Sequence, residues 1–242
     1  MASAALAASR RCHGRWIMVV RMIVQNLASF GVMGAVLFLS AGTFHWPGAW
    51  VYLVVMIGLG LASGLLLARH DPGLLKERLG SPVQKAQTTA DKVVTSALFV
   101  LIFGWLALMG LDAVRFGWSA VPVWAQVIGL LSLLLSIWIV FRTMRENSFA
   151  APVVKIQKDR GHRVITTGPY GYVRHPMYFG ALFFFIGTSL VLGSWWGLAF
   201  TLVFATLLCI RIPIEERALR AGLEGYDAYA ARVRYRLIPL IW

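Results

Sequence analysis

Long apolar stretches separated by short polar segments dominate the chain. Four of them cover residues 22–41, 50–68, 93–111 and 123–141, and each approaches the ~20 residues that a helix needs to cross ~30 Å of hydrocarbon. A fifth stretch, 177–210, is interrupted near Gly193 and Ser194. The interruption predicts two shorter helices joined by a tight turn at one membrane surface. We therefore expect an all-α, polytopic membrane protein with about six membrane helices, the last two forming a hairpin that crosses fully or only in part.

Composition supports this assignment. Hydrophobic residues make up 59% of the 242 residues and charged residues only 14%, which excludes a disordered chain and a water-soluble enzyme of ordinary composition. The sequence has no nucleotide-binding glycine motif, no P-loop and no zinc-protease or serine-hydrolase signature. Its two cysteines, Cys12 and Cys209, have no metal-ligand spacing. No soluble catalytic domain of these types is encoded.

The formal net charge is +13, and the positions of the basic residues along the chain indicate its origin. If the spans alternate, all of the 23 lysine and arginine residues except Arg115 fall on one side of the membrane. The positive-inside rule then places both termini in the cytoplasm. The same arrangement explains the excess of positive charge by contacts with anionic lipid headgroups, so we expect no nucleic acid as partner. We expect an integral protein of a bacterial inner (plasma) membrane.

The same pattern divides the chain into three parts. Residues 1–21 form a basic cytosolic tail, residues 22–145 a four-helix membrane region, and residues 146–242 a catalytic region. The polar residues able to carry chemistry are concentrated in this last part, on either side of the predicted hairpin. The oligomeric state is left open by the sequence.

One dense cluster of functional residue types lies in the segment from Gly168 to Tyr178. Pro176 suits the first position of a helix, where a missing N–H costs nothing. The free N–H groups of that helix would attract a carboxylate or a phosphate. Arg174 and His175 stand directly before it. Taken individually, Arg174 could equally well contact lipid headgroups and His175 could equally well cap the helix, but their occurrence together favours a functional site.

A second cluster, from Arg211 to Arg217, lies at the end of the last apolar stretch. Arg211 and Glu215 are four residues apart and would share one helix face if Pro213 permits. Glu216 follows directly. Ionisable residues at the edge of an apolar helix are costly unless they are paired or functional. An interfacial ion pair is the alternative interpretation.

The connecting segment contains weaker candidates. Residues 153–157 and 163–166 favour short β-strands, because both are rich in β-branched residues. Asn147 and Ser148 are typical of a helix end. His162 lies in a glycine-containing loop and by itself fits a surface position.

The run G-P-Y-G-Y-V-R-H-P-M-Y at 168–178, in a polytopic chain and followed by E-E-R-A-L at 215–219, resembles one family. It is similar to the isoprenylcysteine carboxyl methyltransferases, which are related to the phospholipid N-methyltransferases. The resemblance covers about residues 146–242. The spacing after Leu219 is one residue shorter than is usual in the family, so we assign no role to Tyr226, Tyr229 or Tyr235.

The resemblance implies S-adenosyl-L-methionine as cofactor, with no metal and no covalent intermediate. Arg211 and Glu215 would be catalytic residues, with Arg211 orienting an anionic group of the acceptor. Cofactor-binding residues would be Gln157, His162, Tyr170, Arg174, His175, Pro176, Tyr178, Glu215 and Glu216. The acceptor would be lipophilic, either an isoprenylcysteine-type carboxylate or a phospholipid or other small lipid.

Two other functions remain open. Membrane sterol and steroid reductases that use NADPH share the polytopic plan and a similar R-x-P-x-Y element. A non-catalytic membrane protein, such as a transporter, is the second alternative. Against it, few ionisable residues lie in the middle of the predicted spans, where a transport pathway normally needs some.

Overall fold

A computed structural model describes residues 2–81, 83–84 and 87–242, and their side chains from residue 14 onward. The side chains of Cys12 and of the arginines before it, on which sequence-based expectations were placed, lie outside the described side chains. In the described part, the helices are α1 (Ala2–Ala41), α2 (Pro47–His70), α3 (Pro72–Arg78), α4 (Thr89–Gly110), α5 (Val123–Glu146), α6 (Pro176–Val191), α7 (Trp195–Gly222) and α8 (Tyr226–Arg232).

Five helical segments are long and apolar enough to cross a membrane. They are Gly14–Ala41, Pro47–His70, Thr89–Arg115, Val123–Glu146 and Trp195–Gly222. The first helix of the predicted hairpin, α6, has 16 residues and is about 24 Å long at 1.5 Å per residue. The all-α polytopic fold is confirmed. The hairpin is unequal, with a short first helix and a long second one.

Two boundaries differ from the sequence-based expectation. Helix α1 begins at Ala2 and continues without interruption through residue 21, where the predicted tail was to end. Helix α7 continues beyond residue 210 to Gly222 with Pro213 inside it. The glutamates of the second cluster are therefore helical residues at the membrane edge.

The predicted strands at 153–157 and 163–166 are wrong, since the described residues contain no strand. An isolated extended segment needs a partner strand for its backbone hydrogen bonds. Here the N–H of Val154 instead donates to the Asp91 carboxylate at 3.2 Å, and the N–H of Gln157 donates to Nδ1 of His162 at 3.3 Å. Side chains thus accept the backbone hydrogen bonds that a partner strand would otherwise accept in this irregular segment.

Helices α5 and α6 approach closely because both carry glycine at their contact. A Cβ atom at Gly129 would lie 2.6 Å from the Leu190 Cβ, and one at Gly187 would lie 2.7 Å from the Gly129 carbonyl oxygen. Small residues permit such backbone approach in membranes, where dispersion and not the hydrophobic effect drives helix packing. This contact fixes the last turns of α6 against α5, and Gly180 makes a similar approach to Val140 nearer the start of α6.

The short connections between helices meet at one end of the bundle. There, the Ser194 hydroxyl before α7 donates to the buried Asp112 at 2.5 Å, and Ser119 donates to the same carboxylate oxygen at 2.7 Å. The longer segments, residues 147–175 and 223–242, lie at the opposite end. The polar residues of these two segments are thus gathered at that end.

Candidate functional site

A cavity of about 660 Å³ opens at the end of the bundle that carries the long segments. This volume falls in the range typical of small-molecule sites. Its inner part is lined by apolar residues of α1, α2, α5 and α6, among them Phe30, Met56, Val140, Ala181 and Phe184. Its outer part is polar and includes His162, Tyr170, Arg174, His175, Tyr178, Arg211, Glu215, Tyr226 and Tyr229. The cavity therefore joins a polar compartment to an apolar one.

The start of α6 is held against the C-terminal segment. The N–H groups of Arg174 and His175 donate to the carbonyls of Tyr235 and Arg236 at 2.9 and 2.8 Å. Pro176 is the first helical residue, as predicted, and His175 precedes it as the N-cap. This pairing places His175 and Tyr178 at the cavity wall.

The N-terminus of α6 offers fewer free donors than the sequence suggests. The N–H groups of Tyr178 and Phe179 both donate to the His175 carbonyl at 3.1 Å. Pro176 has no N–H. Met177 lines the cavity, and its N–H makes no hydrogen bond to the described residues. An anion bound here would use that single N–H.

Glu215 is brought to His175 and Tyr178 by the α6–α7 hairpin. The Tyr178 hydroxyl donates to Oε2 of Glu215 at 2.5 Å, and Nδ1 of His175 lies 3.9 Å from the same oxygen. The rings of His175 and Tyr178 stack with their centroids 5.5 Å apart. Because all three line the cavity, one small molecule could contact them together.

Glu216, the neighbouring glutamate, lies in a different environment. Its Oε1 accepts from Nε of Arg174 at 2.7 Å and lies 3.3 Å from Nε2 of His175, while its Oε2 accepts from Nε of Arg236 at 3.3 Å. It is buried and is not among the cavity-lining residues. Glu216 joins α7, the start of α6 and the C-terminal segment, which is a structural arrangement.

Arg174 is similarly occupied. Besides Glu216, its guanidinium donates to the carbonyls of Val233 at 2.7 Å and Arg234 at 3.0 Å. It touches the cavity, but its Nε and Nη1 hold Glu216 and the chain after α8. A contact of Arg174 with a cofactor would therefore use Nη2, which makes no hydrogen bond to the described residues.

Arg211 lines the cavity one helical turn before Glu215. Its Nε donates to Oδ1 of Asp91 at 3.0 Å and its Nη2 donates to the Pro152 carbonyl at 3.0 Å. Its guanidinium also lies over the Tyr178 ring, 5.7 Å from the centroid. Pro213 does not interrupt the helix, so Arg211 and Glu215 share a face as the sequence predicted.

Three weaker candidates are spread along the connecting segment. Gln157 is buried, bonds the Phe149 carbonyl at 2.9 Å and does not line the cavity. His162 does line it and stacks on Phe149 with centroids 4.5 Å apart. Desolvation, together with the nearby Arg160, lowers the pKa of His162. The neutral ring fits its position as acceptor of the Gln157 N–H.

Tyr170 lines the cavity and accepts a hydrogen bond from Nδ2 of Asn147 at 2.8 Å. Its carbonyl accepts from the Tyr229 hydroxyl at 2.9 Å. Burial is the main reason that the pKa of Tyr170 is raised. The phenol therefore stays protonated and can act as a hydrogen-bonding group.

The structure adds residues to which the sequence gave no role. Asp91 is fully buried beside Arg211, and Tyr226 and Tyr229 line the cavity. The Tyr226 hydroxyl is buried and has no hydrogen-bond partner in the described part of the chain, which is a costly state unless a ligand supplies one. The sequence signal for Asp91 was an acidic residue shortly before an apolar stretch.

Comparisons with known proteins agree with this geometry. The family described as phospholipid methyltransferase matches residues 124–223. Protein-S-isoprenylcysteine O-methyltransferase of Schizosaccharomyces pombe is 35% identical over 91 residues, 37% of this chain and 38% of that protein. Protein-S-isoprenylcysteine O-methyltransferase B of Arabidopsis thaliana is 35% identical over 83 residues, 34% of this chain and 42% of the relative.

Two further similarities extend over more of the chain. Delta(14)-sterol reductase TM7SF2 of Mus musculus is 30% identical over 173 residues, 64% of this chain and 41% of that protein. The solved structure of the eukaryotic intramembrane Ras methyltransferase ICMT (isoprenylcysteine carboxyl methyltransferase) aligns with a TM-score of 0.54 at 22% identity, covering 89% of this chain and 75% of that one. The latter supports the fold.

The chain is an integral membrane protein whose C-terminal region is similar in sequence to membrane methyltransferases. Over this region it matches the phospholipid methyltransferase family model and is similar to the isoprenylcysteine O-methyltransferases, in agreement with the resemblance noted in the sequence. The matches span less than half of the length of these curated relatives. The relatives named here are eukaryotic, so a bacterial inner membrane stays a prediction.

Proposed function

We propose that this protein transfers a methyl group from S-adenosyl-L-methionine to a lipophilic acceptor at the cytosolic face of the membrane. One observation carries the proposal. Glu215, His175, Tyr178 and Arg211 line a single cavity that continues between apolar helix surfaces. A polar donor and an apolar acceptor could thus reach each other across one connected space.

The chemistry of the outer compartment fits this cofactor. Glu215 is a carboxylate suited to an ammonium group or to ribose hydroxyls, and the Met177 N–H can donate to a carboxylate. The unpartnered Tyr226 hydroxyl offers a further hydrogen bond. When bound, S-adenosyl-L-methionine supplies an electrophilic methyl group on a positively charged sulfur.

The inner compartment fits the apolar part of an acceptor. Its aliphatic and aromatic lining can hold a hydrocarbon chain, while Arg211 at its edge can orient a carboxylate. The names of the related proteins specify an isoprenylcysteine as acceptor, and an S-prenylated cysteine carboxylate combines both features. A phospholipid or another small lipid is the second acceptor class.

Catalysis would depend mainly on positioning. Holding both reactants in one enclosed cavity replaces an encounter in solution by a fixed approach, and effective molarities of about 10⁵ M or more are attainable in this way. Arg211 would orient the acceptor oxygen, while Tyr178 would hold Glu215 in place. The surrounding apolar residues would exclude water.

Binding and transfer assays test the proposal. Calorimetry on the purified protein should show binding of S-adenosyl-L-methionine and competition by S-adenosylhomocysteine. A labelled methyl donor should then modify N-acetyl-S-farnesylcysteine or an extracted membrane phospholipid, and comparing the two separates the acceptor classes. Absence of binding by both adenosyl compounds would contradict the proposal.

The sterol reductase similarity supports a second candidate, an NADPH-dependent membrane reductase, because it covers more of this chain than the matches to the methyltransferase relatives do. A thermal unfolding series discriminates between the two. NADPH should raise the unfolding temperature of a reductase, whereas S-adenosylhomocysteine should raise that of a methyltransferase.

A further inference from the structure

Asp91 is buried at the first turn of α4, and in the sequence it lies outside the residues that the family match covers. Several hydrogen bonds hold it in place. The Asp91 N–H donates to the Thr88 hydroxyl at 3.2 Å, and Oδ2 accepts from Nε2 of Gln87 at 2.7 Å and from the Val154 N–H at 3.2 Å. Its other oxygen, Oδ1, accepts from Nε of Arg211 at 3.0 Å.

These contacts fix which part of the Arg211 guanidinium remains available. Asp91 binds Nε and the Pro152 carbonyl binds Nη2. Nη1 makes no hydrogen bond to the residues that the structure describes, and Arg211 lines the cavity. The planar guanidinium is therefore held by one edge, which leaves Nη1 as its open donor.

An arginine at the membrane edge normally extends its charged end toward water and lipid headgroups. Its flexible side chain also loses considerable conformational entropy when it is held in one geometry. Asp91 supplies the opposite charge and the hydrogen bond that offset these costs. Without it, the Pro152 carbonyl would be the remaining hydrogen-bond acceptor, among the described residues, that orients the guanidinium relative to the methyl acceptor.

We propose that Asp91 is a positioning residue for the acceptor: it orients Arg211 so that Nη1 binds the acceptor's anionic group. This inference rests on the proposed methyl transfer and deepens its acceptor side. Asp91 itself is sealed behind Arg211 and is not a cavity-lining residue. Its effect on the acceptor would thus be exerted through Arg211, while its bond to the Val154 N–H supports the connecting segment.

The test compares wild-type protein with Asp91→Asn, using N-acetyl-S-farnesylcysteine and its methyl ester as binding probes and the free acid as acceptor. Misplacement of a positioning group by about 1 Å can cost on the order of 100-fold in rate. We expect Asp91→Asn to lower kcat/KM for the acid by about that factor. The dissociation constant for S-adenosylhomocysteine should stay the same.

A double-mutant cycle separates positioning from a general structural role. In an Arg211→Gln background, Asp91→Asn should cause no further loss of kcat/KM, because the residue through which it acts is already removed. Asp112→Asn is the matched control, since Asp112 is equally buried but lies at the opposite end of the bundle. It should lower thermal stability without a change in acceptor selectivity.

Two results would overturn the inference: an Asp91→Asn protein that keeps wild-type kcat/KM, or one that loses donor affinity as much as acceptor affinity. If Asp91→Asn does not fold, Asp91→Glu keeps the charge and should show the same selective loss. Equal binding of the acid and its ester by wild-type protein would also overturn it. The proposed methyl transfer would survive that last result as long as S-adenosylhomocysteine binds.

Discussion

The Tyr178 hydroxyl and the Glu215 carboxylate are joined by a 2.5 Å hydrogen bond across the α6–α7 hairpin, although 37 residues separate them in the sequence. This bond fixes the carboxylate at the cavity wall. It also links the R-H-P-x-Y segment to the glutamate pair, the two elements that carry the family resemblance. The hairpin is therefore what assembles the candidate site.

The two adjacent glutamates should respond differently to the same change. Glu215→Gln removes a charge from the cavity wall, so we expect at least a tenfold loss of affinity for S-adenosylhomocysteine, about 1.4 kcal/mol, with little change in stability. Glu216→Gln breaks a buried ion-pair cluster and should reduce the free energy of unfolding by about 3 kcal/mol. Calorimetry and thermal unfolding measure the two effects. The reverse pattern would assign the cofactor contact to Glu216.

The Tyr226 hydroxyl should contribute to ligand binding and not to folding. It is buried without a partner, so Tyr226→Phe removes no hydrogen bond of the described structure and should leave the unfolding temperature unchanged or raised. Affinity for S-adenosylhomocysteine should fall by about 1 kcal/mol. Tyr229→Phe is the control, because its hydroxyl donates to the Tyr170 carbonyl. That variant should lose stability, and unchanged ligand affinity in Tyr226→Phe would count against the assignment.

His162 should make the protein less stable in mild acid. Its pKa is lowered in the folded state, so folding favours the neutral ring. The resulting stability is fully present above the unfolded pKa of about 6.5 and is lost as the pH falls from there through the folded pKa. In His162→Gln, which keeps an acceptor but cannot titrate, the unfolding temperature should fall less between pH 7 and pH 5. Parallel curves for the two proteins would contradict this prediction.

The close approach of α5 and α6 should not tolerate a side chain. Gly129→Val places Cβ 2.6 Å from the Leu190 Cβ and 2.9 Å from the Val191 N, and overpacking of this kind costs about 1–3 kcal/mol or more. Because α5 and α6 also meet at Gly180, nearer the start of α6, a shift between the two helices should lower ligand affinity as well. Gly104→Ala in α4 is the control, since a Cβ there meets no atom within 4 Å. Detergent-solubilised unfolding curves should separate the two variants clearly.

The membrane spans were predictable because they depend on the length and apolarity of continuous runs. A helix satisfies its backbone hydrogen bonds within one segment, so about 20 apolar residues suffice to predict a crossing. The start of α6 at Pro176 was equally local, since proline at the first helical position is a sequence signal. Local sequence gave a wrong prediction at 153–157. The β-branched residues there favoured a strand, but no partner strand is present among the described residues.

The candidate site itself could be predicted only in part. The motif and the resemblance singled out His175, Tyr178, Arg211 and Glu215, and the structure brings these four to one cavity. The sequence could not distinguish Glu215 from Glu216, because adjacent helical residues point in directions about 100° apart and only the packing decides which of them faces the cavity. Nor could it give a role to Tyr226, whose distance from the motif depends on the fold of the C-terminal segment.

The sequence alone thus determined the membrane-embedded helices, the position of the R-H-P segment and the residue types available for chemistry, since each follows from nearby residues. The tertiary structure decided their pairing. Asp91 and Arg211 are 120 residues apart, and no local pattern encodes a contact between the start of α4 and the end of α7. That contact exists because the helices pack side by side and bury two opposite charges together, which is a property of the assembled bundle.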